Sequence, residues 1–183
     1  MAMGFVFAKK DKTLSWALKA REVGGISVYD HVKVADGILY ATDGVSMHCA
    51  SLPSPSLPDG IYSVKIDNGT IILIPDDGNG FHAVEEFRRE WLEKAKDIDP
   101  VFSFEGPCED IVGSDYFSRV IRKMDPPFYF NFPRFKALLS VPGKGVIKLV
   151  HMAPPNDIYF LLVMEGDSFW GFLPCAKPKE GGI

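Results

Sequence analysis

The side chains best equipped to ligate a metal or shuttle a proton are His31, His48, His82 and His151, and their spacing serves neither task. Three of them fall in or beside expected strands, which makes them structural. Cys49, Cys108 and Cys175 are odd in number, far apart and without a Cys-x-x-Cys pair. Neither a disulfide framework nor a zinc knuckle is suggested, and a reducing cytoplasm fits best. The neighbouring acids Asp76-Asp77, Glu85-Glu86 and Asp97/Asp99 could in principle share general acid–base work, but they sit in polar loops or on a solvated helix. Pro75-Asp-Asp-Gly-Asn-Gly80 has the acidity of a calcium loop without its ligand alternation or closing Glu. No Gly-x-Ser-x-Gly elbow, phosphate-binding loop or dinucleotide fingerprint occurs. The expectation is a protein that is not an enzyme, with no metal and no cofactor.

Composition bounds what remains. The chain has 183 residues, and 14 Phe, 6 Tyr and 3 Trp supply enough apolar surface to offset the entropy of ordering it. A formal charge of −4 argues against a surface coated in basic residues, yet 20 Lys and Arg can still cluster on one face. The apolar run in residues 1–8 is too short for a signal peptide, and no segment approaches the ~18 apolar residues of a spanning helix. Secretion and membrane contact are not expected.

The elements that must position any functional residue are most legible in His31–Ala50. Val32 and Val34 alternate with polar neighbours before Asp36-Gly37; Ile38, Tyr40 and Thr42 alternate after it, as a hairpin with a two-residue turn requires. Thr42-Asp43-Gly44 then turns the chain into Val45, Met47 and Cys49. A strand at 4–8 and a helix over 13–23 precede this block. Leu14, Ala17, Leu18 and the stem of Arg21 lie on one side of the helix and Lys12, Ser15, Lys19 and Glu22 on the other, with Gly24-Gly25 to end it. The first half therefore reads βαβββ.

After the Pro- and Ser-rich connection at 52–60, residues 61–66 and 70–74 form a second hairpin around Asn68-Gly69. Residues 82–96 form the clearest helix, with Val84, Phe87, Trp91 and Ala95 as an apolar stripe and Glu85/Arg89 and Glu90/Lys94 as i,i+4 pairs. The stripe packs onto a sheet or, on the sharper reading, fills a partner's groove. A short strand at 101–104 and a helix at 114–124 bearing Arg119, Arg122 and Lys123 follow.

The last third repeats the opening grammar. A strand at 128–130 leads to a short helix over 133–140, with Asn131 near its cap and Phe135, Leu138 and Leu139 facing inward. Strands at 146–152, 158–165 and 168–173 complete a second βαβββ. Apolar residues on both alternations of 158–164 predict a strand covered on both faces. The tail at 177–183 is expected to be mobile.

These two halves resemble the bacterial β sliding clamp of DNA replication. The likeness rests on the helix around Leu14 to Ala20 and on Val34-Ala-Asp-Gly-Ile-Leu-Tyr-Ala-Thr-Asp-Gly44. It continues in Phe130-Asn-Phe-Pro-Arg-Phe-Lys-Ala-Leu-Leu139, the strand 146–150 and the closing Phe169-Trp-Gly-Phe-Leu-Pro-Cys-Ala176. The resemblance implies an α+β, DNA-clamp-like domain over 1–176, with halves at 5–64 and 128–176 and an inserted helical segment at 65–127. It implies helices turned toward double-stranded DNA, with Lys12, Lys19, Arg21, Arg134 and Lys136 as backbone contacts. Such contacts release counterions without reading sequence. It also implies a partner-binding groove that includes Leu173 and Pro174, and the helix carrying Phe87 and Trp91 is a further partner surface. A clamp subunit has three such domains and closes as a dimer, so this chain would need about six copies to make a ring. The function expected is that of a non-catalytic processivity or recruitment factor in DNA replication or repair, binding DNA, replication or repair proteins and further copies of itself. The alternative is a protein-interaction module or decoy on the same fold that does not encircle DNA.

Overall fold

Asp36 and Gly37 both adopt positive φ, 52° and 72°, and this left-handed pair folds strand β2 (His31–Ala35) back on β3 (Ile38–Thr42). The hairpin belongs to a computed structural model that describes residues 5–8, 11–21, 28–52, 57–68, 70–77, 84–111, 130–152, 158–165 and 168–175. The chain divides into two compact units, Met1–Arg89 and Glu90–Ile183.

In the first unit, β1 (Phe5–Ala8), α1 (Lys12–Ala17), β2 and β3 are followed by β4 (Met47–Ser51), β5 (Gly60–Asp67) and β6 (Thr70–Asp76). Every neighbouring pair is antiparallel, in the order β1-β6-β5-β2-β3-β4. Residues 65–76, expected in the inserted segment, thus lie in the sheet itself: β6 bonds to β5 on one side and to β1 on the other.

The register assigns the two faces. Val34, Leu39 and Ala50 stand opposite one another on one face, and Lys33, Tyr40 and Cys49 on the other. Helix α1 packs on the first face through Trp16, Leu14 and Ala17, all buried. It is shorter than the expected 13–23: the chain tightens into a 3₁₀ turn over Leu18–Ala20 and Arg21 is already extended, at φ −77° and ψ 142°. The expected strand and helix boundaries otherwise agree with the structure to within two residues in this unit.

The division between units falls within helix α2 (Val84–Asp97). The second unit contains β7 (Phe102–Pro107), α3 (Phe132–Leu139), β8 (Lys144–Met152), β9 (Ile158–Glu165) and β10 (Ser168–Pro174), with strands in the order β10-β9-β8-β7. Residues 160–164 of β9 are all buried, as its apolar character on both alternations predicts. A bulge at Trp170 shifts the pairing of β10 with β9 by one residue. The expected helix at 114–124, and most of the strand at 128–130, lie outside the described residues.

Candidate nucleic-acid interface

Asp11 caps α1, its Oδ1 accepting from the backbone N–H of Leu14 at 2.9 Å. With the apolar side of the helix buried, Lys12 and Lys19 remain exposed. Arg21 is different. Its Nη1 donates to Asp30 Oδ1 at 2.9 Å and to the Asp30 carbonyl at 2.8 Å, and its side chain is only 6% exposed. A guanidinium enclosed in this way ties the chain end of α1 to the turn before β2 and offers little to a phosphate. The placement of its stem among the inward residues in the sequence was the signal.

Asn131 caps α3 by accepting from the Arg134 N–H at 3.2 Å, and Pro133 occupies the first turn, where its missing N–H costs nothing. Phe135, Leu138 and Leu139 are buried. Lys136 is exposed and Arg134 half-buried. Two positions apart on a helix, these two cations point to different sides and do not address one phosphate row together.

The partner-binding candidates fare unequally. Leu173 has no exposed surface and stands opposite Leu161 in the sheet, so it is core; Pro174, opposite Phe160, is half-buried. Phe87 is half-buried. Trp91 meets Phe160 edge-on, with ring centroids 4.4 Å apart, and lies 5.6 Å from Phe172. Lys94 sits over the indole, 5.1 Å from its centroid. Trp91 is therefore part of the packing of the second unit.

Sequence reasoning missed a polar group on the first sheet. Glu85 of α2, expected to pair along its own helix with Arg89, instead reaches Lys33 of β2 at 2.5 Å. Burial works to raise its carboxyl, but the hydrogen bond and charge of Lys33 outweigh it and hold it below the ordinary value. Only tertiary structure could reveal a partner so distant in sequence. The Glu90–Lys94 pair forms as expected.

Burial raises all three thiols, Cys49 to about 12, and none is a reactive thiolate. Of the histidines, His48 is buried, His31 pairs with Asp76 at 3.2 Å, and His151 stacks on Tyr159; His82 lies outside the described residues. Among the described residues no group of three or more His, Cys, Asp or Glu could hold a metal ion. No described helix is long and apolar enough to cross a membrane.

The fold is clamp-like. The structure matches the DNA polymerase sliding clamp from Pseudomonas aeruginosa with a TM-score of 0.51 at 12% identity, over 96% of this chain and 67% of that one. A chain from Eubacterium rectale assigned as a DNA polymerase III beta subunit matches at a TM-score of 0.47 and 9% identity, over 95% of this chain and 65% of that one. The chain spans about two thirds of the length of these solved clamps. No family model and no curated protein sequence matches it.

Proposed function

We propose that this chain is a non-catalytic clamp-like factor of DNA replication or repair that contacts the DNA backbone and recruits protein partners. The observation that carries the reading is the clamp fold itself, matched over 96% of the chain. Lys12 on α1, Lys19 in the 3₁₀ turn that follows it, and Arg134 and Lys136 on α3 are the backbone contacts, the last two meeting different phosphates and each acting by counterion release, which tolerates movement along the duplex. Pro174, at the end of β10, is the more accessible of the two groove positions.

The test is duplex binding by fluorescence anisotropy across a salt series. Four phosphate contacts give a log–log salt slope of about −3.6, a loss of roughly 100-fold between 50 and 200 mM salt. The Lys19→Glu/Arg134→Glu variant is expected to weaken binding at least about tenfold and to flatten the slope by about 2. Duplex binding indifferent to both charges would overturn the backbone assignment.

The small number of exposed cations on these helices, in a chain of net charge −4, favours a second reading. On it, the chain is a protein-interaction module or decoy that does not encircle DNA, and a replication protein binds it with duplex DNA absent and unbound.

A further inference from the structure

Phe132 is 63% exposed at the start of α3, and it is the outlier among the phenylalanines around it. Phe135 is buried, and the Phe130 ring stacks on it at 5.3 Å. Lys136 lies one helical turn beyond Phe132, on the same side of α3, and is exposed; Pro133 beside them is exposed as well. The surrounding stretch of sequence carries charge of one sign, although Glu105 of β7 stands opposite Val146 and the turn Cys108–Ile111 packs against α3. Residues 126–156 contain Arg134, Lys136, Lys144 and Lys148 and not one Asp or Glu, in a chain where acids outnumber bases 24 to 20. Among the described members, Lys144 is exposed and Lys148 half-buried on the strand that follows the helix.

A solvent-facing aromatic ring is costly to leave in water, and a neighbouring cation one turn away defines what would cover it. A base stacks on the ring face while the adjoining phosphate meets the ammonium, a combination used wherever unpaired strands are held without regard to sequence. A duplex satisfies only half of this pair, because its bases are already stacked on one another. From the exposed ring, its cationic neighbour and the acid-free segment around them, we infer that Phe132 and Lys136 form a binding point for single-stranded DNA, the ring stacking an unpaired base and the ammonium holding its phosphate. The inference rests on the proposed DNA-related role and narrows the nucleic acid to a strand or junction with unpaired bases.

The experiment measures anisotropy of the full chain with a labelled 20-nucleotide oligo(dT), a 20-base-pair duplex and a polyglutamate peptide. The intact chain is expected to bind the oligo(dT). Phe132→Ala should weaken that binding roughly 5- to 100-fold while leaving duplex binding within about twofold, and Lys136→Glu should weaken both. Circular dichroism verifies that each variant is folded, and Phe132→Trp, which keeps a stacking face, should restore binding and show indole quenching by the strand. Duplex binding with no oligo(dT) binding, or oligo(dT) binding unchanged by Phe132→Ala, overturns this inference and leaves the broader role standing. Oligo(dT) binding that needs Phe132, with no duplex binding, supports the inference and removes the duplex contacts. Polyglutamate binding as tight as oligo(dT) binding, or binding to no nucleic acid, overturns it.

Discussion

The imidazole of His48 lies flat against the indole of Trp16, ring centroids 4.4 Å apart and planes within 7°, while its Nδ1 donates to the Trp16 carbonyl at 3.1 Å. A carbonyl oxygen only accepts, so Nδ1 carries a proton; Nε2 is buried with no hydrogen-bond partner among the described residues, where a second, charged N–H would go unpaired, and this favours the neutral ring. Burial lowers the group to about 4, against smaller upward pulls from the Trp16 hydrogen bond and Asp43. The unfolded chain takes up this proton near pH 6.5 and the folded chain only near pH 4. Stability contributed by His48 is therefore complete above pH 6.5 and falls as pH drops toward 4, by about 3 kcal/mol in all. His48→Phe keeps a flat ring on Trp16 and should flatten this segment of the pH profile in urea melts. An unchanged profile would refute the assignment.

Asp43 closes the turn between β3 and β4. Its Oδ1 accepts from the N–H groups of Val45 and Ser46 at 3.0 and 2.7 Å and from the Ser46 hydroxyl at 3.1 Å, while Thr42 donates its hydroxyl to the Ser46 carbonyl at 2.6 Å. Asp43→Ala removes three acceptor contacts and should lower stability by about 2 kcal/mol, read from the urea midpoint at constant slope.

Asp30→Asn leaves the enclosed Arg21 guanidinium without its counter-charge. Because Asp30 itself is partly in water, the loss should be about 2 kcal/mol, below that of a fully buried pair. Duplex binding at matched folded fraction should not change. A clear loss of DNA affinity in the folded variant would return Arg21 to the interface.

Leu173→Ala should cost about 2–5 kcal/mol and shift thermal unfolding, because the site is enclosed by the sheet. Pro174→Ala should leave unfolding nearly unchanged, so it is the variant with which to measure loss of a protein partner.

A clamp-like factor that encircles DNA by self-assembly forms a closed oligomer. Sedimentation velocity over a concentration range is expected to show a discrete closed species if the chain makes a ring. A persistent monomer or dimer excludes the self-assembled ring and favours the interaction module.

Local signals carried far into the structure. Asp36-Gly37, Asn131 and the alternation in His31–Thr42 all act within a few residues, so their turn, cap and strands were legible before any fold was known. Leu173 was not, and Arg21 only through the inward side on which its stem falls, because whether a leucine lines a groove or fills a core, and whether an arginine meets a phosphate or Asp30, depends on chain that returns from elsewhere. Thr42-Asp43-Gly44 shows both sides: its wording carried the likeness to a clamp, and its side chains are spent on the turn rather than on a ligand.

The unlike faces of β2 and β3 bear on how this chain avoids folding incorrectly. Sliding β2 by one residue would bring Lys33 to the side where Trp16 and Leu39 are packed and would turn Val34 toward Glu85, stranding an ammonium in hydrocarbon and a carboxylate without its cation. The hairpin thus rejects its nearest competitor by charge as well as by shape, once α1 and Glu85 of α2 are in place on its two faces.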